Sequence, residues 1–285
     1  MDIGHRIMKQ HNCIQETDWK KGDNELYSEL KSKLLLNGKL GGCREFIVKY
    51  SEMEPGAVLP MHCHGHAHSD YIISGRVWAQ LGCRRVELEV DSATYFPAGM
   101  PHAYKAVGRE KLRYYSIYAC EKKGQNVQSV PVNPDRANKI DRPNMDKTRW
   151  AVAESFETWY YWEPSKGPKG IRWTSLFDAA RGGHEEMIVG TAIIPPGGRY
   201  SRHYHDQPEM FIGLGGRGVL FCGDDVIPME PGVAAYVGKK QIHGAQTMGP
   251  VPMKMIWVYG TESASADWSW IPVEDIYLGA QPLNY

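Results

Sequence analysis

The chain alternates short runs of β-branched and aromatic residues with turns that contain glycine or proline. This pattern is typical of an all-β protein, because strands of roughly four to eight residues are bounded by turn residues. The predicted strands cover residues 45–53, 71–82, 93–99 and 112–120 in the first half, and 186–194, 210–215, 218–223, 234–238 and 253–260 in the second. Helix-like segments are predicted at 16–36 and around 175–183.

The two halves of the chain repeat one another at a constant offset, without gaps. Three histidine pairs share this offset: His62 with His203, His64 with His205, and His102 with His243. Self-similarity at one fixed offset indicates two copies of one domain. We therefore predict an N-terminal extension (1–30), a first domain (31–120), a connecting segment (121–171), a second domain (172–262) and a C-terminal tail (263–285).

Composition narrows the classes of function. The 285 residues contain 33 Lys plus Arg and 33 Asp plus Glu, so no net positive charge is available to attract nucleic acid or anionic lipid. No apolar run approaches the ~20 residues that cross a bilayer, and the first residues lack the apolar core of a signal peptide. Six cysteines without CxxC spacing favour reduced thiols. We expect a soluble, cytoplasmic protein with no membrane or nucleic-acid partner.

The histidine clusters have the spacing of metal ligands. Alternate residues of a strand share a face, so His62 with His64, and His203 with His205, each place two imidazoles together. Glu209 and His243 complete a set of three imidazoles and one carboxylate, which suits a divalent first-row metal. In the first half His68 stands at the Glu209 position, although His66 or Asp70 could supply the fourth ligand instead.

These residues resemble the two motifs of the cupin superfamily. The first motif, G-x5-HxH-x3-E-x6-G, is present as Gly197, His203, His205, Glu209 and Gly216, and as Gly56, His62, His64, His68 and Gly75. The second motif, G-x5-P-x-G-x2-H-x3-N, is present in part as Pro97, Gly99 and His102, with Asp91 in place of the first glycine and Ala106 in place of the asparagine. In the second copy Gly232 and His243 match, whereas Gly238, Lys240 and Thr247 replace the proline, the second glycine and the asparagine. The resemblance implies a bicupin: two tandem antiparallel β-barrels preceded by a short helical or irregular extension.

The resemblance implies a metal-dependent enzyme with up to two metal ions per chain. Fe(II) is favoured, with Mn, Ni and Zn as alternatives. The expected activity is a non-haem Fe(II) dioxygenase acting with dioxygen on a small, anionic, chelating substrate. The alternatives are a non-oxidative lyase, decarboxylase or isomerase, and a non-catalytic metal-binding or ligand-binding cupin. Oxalate itself is disfavoured, because no segment matches the acidic lid loop of oxalate decarboxylases.

Two further residues are candidates for catalysis. Tyr104 follows His102 by two residues, so its hydroxyl is placed to exchange a proton in the first pocket, unless it only packs in the barrel. Arg199 shares a face with His203 if the strand alternates regularly, and could bind a substrate carboxylate or form a salt bridge at the rim. A homodimer formed through the aromatic terminal segments is the expected assembly.

Overall fold

The computed structural model describes residues 10–21, 27–120, 124–137, 149–161, 170–178, 186–260 and 271–273. In these residues the chain is almost entirely β, as the sequence predicts, and the only α-helix is the four-residue Pro134–Ala137. None of the described helices is long and apolar enough to cross a membrane. The prediction of an all-β protein is thus confirmed.

The described strands up to β13 are β1 (His11–Cys13), β2 (Lys20–Lys21), β3 (Leu30–Leu36), β4 (Phe46–Met53), β5 (Val58–His64), β6 (His68–Ser74), β7 (Arg76–Leu81), β8 (Arg84–Leu88), β9 (Ser92–Phe96), β10 (His102–Val107), β11 (Leu112–Ala119), β12 (Ser129–Pro131) and β13 (Ala151–Ala153). All of these except β1 form the first barrel, which consists of a seven-stranded and a five-stranded sheet with the strand orders β13-β9-β6-β11-β4-β3-β2 and β12-β5-β10-β7-β8.

The second barrel contains β1 together with β14 (Tyr160–Tyr161), β15 (Arg172–Phe177), β16 (Met187–Ile194), β17 (Arg199–Tyr204), β18 (Glu209–Gly215), β19 (Gly218–Cys222), β20 (Asp225–Met229), β21 (Val233–Val237), β22 (His243–Thr247), β23 (Met253–Gly260) and β24 (Ile271–Pro272). It has the same two-sheet plan, with the strand orders β1-β21-β18-β23-β16-β15-β14 and β20-β19-β22-β17-β24. Two tandem barrels of one plan confirm the two-copy prediction.

Neither helix-like segment forms an α-helix where the structure describes the chain, although Glu16 ends the short 3-10 helix Ile14–Glu16. Residues 20–21 and 30–36 form β2 and β3, and 172–177 form β15, while 22–26 and 179–185 lie outside the described residues. The reason is tertiary pairing: β3 is hydrogen-bonded along the edge of β4, and β15 along β16. A partner strand that satisfies the backbone and covers the apolar side chains overrides a weak helical preference.

The predicted extension and connecting segment supply strands rather than loose chain. The first strand, β1, does not join the first barrel but pairs with β21 of the second barrel. The matching strand β13, from the connecting segment, pairs with β9 of the first barrel. Each barrel therefore receives its outer strand from the chain that precedes the other barrel.

A shared core joins the barrels. Phe46, Tyr95 and Phe177 lie in one buried cluster that takes residues from both repeats. Two hydrogen bonds flank it: Tyr95 donates to Glu186 (2.9 Å) and Tyr236 donates to Glu45 (2.7 Å). Tyr95 is the repeat partner of Tyr236, and Glu45 is the repeat partner of Glu186. The contact between the barrels is therefore self-complementary, as in a two-fold dimer.

Candidate metal centres

Three histidines of the first barrel converge on one point. His62 and His64 lie on β5, and His102 begins β10 directly opposite His62. All three side chains are buried, and one nitrogen from each lies within 4.8 Å of the others. The alternation predicted for His62 and His64 thus holds, and pairing between β5 and β10 adds the third ring.

The second barrel has a cluster of four. His203 lies on β17, His205 follows that strand, and Glu209 and His243 begin β18 and β22. Their ligand atoms lie within 4.8 Å of one another. Glu209 Oε2 is 3.2 Å from His205 Nε2 and 2.9 Å from His243 Nε2. All four residues proposed from the spacing therefore come together in one buried cluster.

The second ring nitrogen of every clustered histidine faces a backbone carbonyl, which can only accept a hydrogen bond. In the first barrel these contacts are His62 Nδ1 to Pro60 O (2.7 Å), His64 Nδ1 to Gln128 O (3.0 Å) and His102 Nδ1 to Met100 O (2.8 Å). In the second they are His203 Nδ1 to Ser201 O (2.9 Å), His205 Nδ1 to Gln207 O (2.8 Å) and His243 Nδ1 to Gln241 O (2.8 Å). Each Nδ1 must carry the proton, so each Nε2 presents a lone pair, as in metal-binding histidines.

Burial favours the neutral form of His62, His64 and His203. It lowers the pKa of His62 to about 4, of His64 to about 3 and of His203 to about 2. For Glu209, burial opposes ionisation, but the close contacts of its carboxylate with the His205 and His243 rings outweigh it and lower the pKa to about 2. Neutral imidazole and ionised carboxylate are the forms that coordinate a metal.

The donor sets fit a divalent metal ion. In the first barrel the buried His102 Nε2 has no hydrogen-bond partner among the described residues. In the second, both nitrogens of His205 and of His243 face oxygen atoms, although a neutral ring carries one N–H only. A cation among the four side chains satisfies them all. Three imidazoles with one carboxylate, or imidazoles alone, are typical of first-row transition metals.

His68 lies beside the first cluster but outside the group of three. Its ring centroid is 5.0 Å from that of His64 and 4.8 Å from that of His102, and it stacks on Tyr118. Its Nε2 is 3.8 Å from Asp70 Oδ2, and its buried Nδ1 has no partner in the described part of the chain. Its role as the fourth ligand stays a prediction.

Tyr104 lines a cavity that also reaches the histidines of the first barrel, and its catalytic role stays a prediction. Its hydroxyl is 2.7 Å from Thr94 Oγ1 and is also hydrogen-bonded to Asp70, which accepts a further bond from Ser116. Burial, followed by the charge of Asp70, raises the pKa of Tyr104 well above its usual value. Burial also raises the pKa of Asp70, to about 7. The cavity thus contains a carboxyl group that changes protonation near neutral pH.

Arg199 does not share the face of His203 in the way regular alternation predicts. A β-bulge lies between Tyr200 and His203 of β17, so one extra residue shifts the alternation. Tyr200 packs against His203 instead, with ring centroids 4.5 Å apart, and it is hydrogen-bonded to Tyr259, which also bonds Glu209. The bulge removes the geometric basis on which Arg199 is predicted, and its binding of a carboxylate stays a prediction.

The interiors of the two barrels differ in chemistry. The first contains a cavity of about 260 Å³ that reaches the histidines and is lined by both polar and apolar side chains. The repeat-related positions of the second barrel lie in an apolar core, where Trp257 packs against Gly190. Lys49, Asp70, Tyr104, Tyr114 and Ser116 of the first barrel correspond to Gly190, Phe211, Ala245, Met255 and Trp257 of the second.

Three lining residues of this cavity, Lys49, Tyr114 and Ser116, are not predicted from the sequence. A signal for them is present, because a polar residue in one repeat and an apolar or absent side chain in the other marks a position where the copies have diverged. The residues shared at the common offset include the three histidines of each cluster. Lys49, Tyr114 and Ser116 lie at positions where the two copies differ.

Comparison with known proteins agrees with this architecture. A family model described as a cupin domain matches residues 49–118 and again 190–259. Over 97 residues the chain is 33% identical to the dimethylsulfoniopropionate lyase DddW of Ruegeria pomeroyi, an alignment that covers 33% of this chain and only 60% of that enzyme.

Two solved structures share the whole two-barrel arrangement. A deletion mutant of the oxalate decarboxylase OxdC of Bacillus subtilis superimposes with a TM-score of 0.72 at 12% identity, covering 90% of this chain and 78% of that one. The oxalate decarboxylase of Lactobacillus farciminis, in complex with formate, gives 0.69 at 12% identity, covering 89% and 86%. At this identity the likeness concerns the fold. The two family matches, each containing one ligand cluster, show that the chain belongs to the cupin superfamily and is a bicupin.

Proposed function

We propose that the first barrel is the active site of a metal-dependent lyase that cleaves a small carboxylate by elimination or decarboxylation. The observation that carries this proposal is the cavity of about 260 Å³, in which buried titratable groups line the same space as His62, His64 and His102. Perturbed titratable groups that converge in a pocket are characteristic of active sites.

The metal would be held by His62, His64 and His102, with His68 as the proposed fourth ligand. When bound, it would act as a Lewis acid that stabilises the negative charge developing on the substrate. Neutral histidine ligands leave its full positive charge available for this purpose. Mn, Fe, Ni and Zn all suit the ligand set, and Mn(II) centres are described for the Bacillus oxalate decarboxylase.

Asp70 and Tyr104 are the proposed proton-transfer groups. The buried Oδ1 of Asp70 has no hydrogen-bond partner among the described residues, and the side chain lines the cavity, so this oxygen can accept a proton from a bound substrate. A base whose pKa lies near neutrality is efficient at physiological pH. Tyr104 would hold Asp70 in place through their hydrogen bond and could relay the proton that Asp70 takes up to the product, so that its own hydroxyl is protonated again at the end of the cycle.

The second centre has a different proposed role. Trp257, Phe211 and Met255 fill the space that the cavity occupies in the first barrel, so the metal there would lie under an apolar core with little room for a substrate. A buried ion held by four protein side chains contributes to the stability of the fold. We therefore assign the second cluster to structure and the first to chemistry.

The matched relatives favour a lyase over the dioxygenase expected from the family resemblance. One is a lyase by name and the others are decarboxylases, and all of these names describe bond cleavage in small carboxylates. An Fe(II) dioxygenase remains the competing function, because the same ligand sets accept iron. The two differ in their need for dioxygen.

The decisive experiment is turnover without oxygen. Protein loaded with Mn, Fe or Zn is incubated anaerobically with a panel of small carboxylates, including dimethylsulfoniopropionate and oxalate, and products are followed by NMR. Anaerobic turnover supports the lyase, whereas turnover that requires oxygen uptake supports the dioxygenase.

Matched variants locate the chemistry. His62→Ala and His203→Ala remove equivalent ligands from the two barrels, and each is expected to lose one equivalent of metal. Turnover should disappear in His62→Ala and persist in His203→Ala at temperatures where both variants are folded. The reverse result would place the chemistry in the second barrel.

A further inference from the structure

Lys49 is a charged side chain on the inner face of the first barrel. It lies on β4 directly opposite Ser116 of β11, is half-buried, and lines the cavity above the histidines. Its Nζ is 5.4 Å from the centroid of the Tyr118 ring, which stacks in turn on His68. An ammonium group is therefore held one ring away from the proposed metal ligands.

A cation in this place works against the binding of a metal ion to those ligands, since like charges repel in a partly buried site. An occupant of the cavity that brings negative charge is attracted by the ammonium group and by a bound metal ion alike.

The charges of the residues that line the cavity also favour an anionic ligand. Among the described residues that line it, three are lysines (Lys20, Lys21 and Lys49) and one, Asp70, is acidic. The ligands of the first centre are all neutral, whereas the second centre has the carboxylate of Glu209. The repeat partner of Lys49 is Gly190, so this cation is specific to the barrel that has a cavity.

We infer that Lys49 is the anion-recognition residue of the first barrel: its ammonium pairs with a carboxylate of a small substrate whose other oxygen atoms reach the histidine centre. The inference rests on the proposed lyase function for the identity of the site and adds the group that selects the substrate. The site should bind small carboxylates, and dicarboxylates in particular, more tightly than neutral polyols or phenols, because only an anion forms a charge-assisted hydrogen bond with the ammonium group.

The test measures binding rather than turnover. The full chain is loaded with Co(II), whose visible absorption reports ligand exchange at the metal, and is titrated with malonate and, separately, with imidazole as a neutral ligand. His62→Ala identifies the part of the signal that comes from the first barrel, because that variant lacks a ligand of this centre only.

Lys49→Met is the decisive variant. Losing one charge-assisted hydrogen bond costs roughly 1.5–3 kcal/mol, so malonate binding should weaken by roughly 10-fold to 100-fold. Lys49→Arg should retain most of the affinity, and imidazole binding should change by less than about threefold in either variant. Lys105→Met is the matched control, because Lys105 lies on the exposed face of the same barrel, over Trp78.

The outcomes separate the two proposals. Equal malonate affinity in Lys49→Met and the unaltered protein overturns the role of Lys49, as does the absence of any malonate response in the unaltered protein. Loss of malonate binding in Lys49→Met supports the role of Lys49, even if the protein turns over no carboxylate. Failure to turn over any carboxylate would count against the proposed lyase activity but not against the role of Lys49.

Discussion

A single methyl group at Gly190 tests whether the second barrel has room for a substrate. Gly190 lies on β16 between β15 and β23, opposite Ser175 and Trp257. A Cβ atom there would come closer than 3.0 Å to the Trp257 ring and to the carbonyl oxygen of Thr174. Carbon atoms in contact normally lie about 3.5–4.0 Å apart, so Gly190→Ala forces a ring and a main-chain strand to move.

The cost follows from these contacts. Overpacking a well-filled core costs typically ~1–3 kcal/mol, and a clash with backbone as well as with a buried ring belongs at the upper end. We expect Gly190→Ala to lower the free energy of unfolding by about 3 kcal/mol, which corresponds to a fall of roughly 6–12 °C in the unfolding midpoint. Gly249→Ala is the control in the same barrel, because nothing lies within 4 Å of the position that its methyl group would take.

The assay is urea and thermal unfolding of the metal-loaded protein, with turnover measured well below the midpoint. Turnover should be unchanged in Gly190→Ala, because the affected core belongs to the barrel to which we assign no chemistry. A variant as stable as the unaltered protein would refute the reasoning: it would mean that the interior of the second barrel has space for added groups, and that the apolar filling is no reason to exclude chemistry there.

Three further outcomes are expected. Glu209→Gln should lower the metal affinity of the second centre at least tenfold, measured as metal content after dialysis, because an amide lacks the negative charge; unchanged content would contradict the site. In metal-stripped protein the free energy of unfolding should fall as the pH drops from 7 to 5. The folded pKa values of His62 and His64, about 4 and about 3, lie below the unfolded value of 6.5, so over this range the unfolded chain takes up protons that the folded chain does not. Each of these two histidines should lower the free energy of unfolding by about 2 kcal/mol. Urea titrations at the two pH values measure this, and a pH-independent stability would refute it. Tyr236→Phe should lose ~1.5–3 kcal/mol in the same assay, because the hydrogen bond to Glu45 across the barrels is removed.

The sequence predicts this molecule well wherever a feature repeats. The constant offset between the halves identifies two domains and the histidines of both centres, because ligands of one metal must keep the spacing that the strands impose. The bulge between Tyr200 and His203 has no comparable signal, so alternation selects Arg199 where the fold places Tyr200. Pairing between distant segments is not visible in local sequence, and the residues of β3 therefore suggest a helix.

The interior of the barrels shows a second limit of prediction. Composition and spacing locate the metal ligands but do not show which side chains point inward from the neighbouring strands. Lys49 and Gly190 occupy equivalent positions, and only the assembled barrels show that one borders a cavity and the other supports a tryptophan ring. The proposed functional difference between the two barrels depends on which side chains line their interiors.

The exchange of outer strands between the barrels constrains how the protein can be made. Strand β1 is synthesised before the first barrel, yet its hydrogen-bonding partner β21 emerges only after that barrel and most of the second, so β1 lacks its native partner while both are translated. Either barrel expressed as an isolated cupin repeat would lack a strand and expose a sheet edge. In such a fragment, pairing of the exposed edge with another molecule would compete with correct folding. The two barrels are therefore expected to fold together in one chain rather than as separable domains.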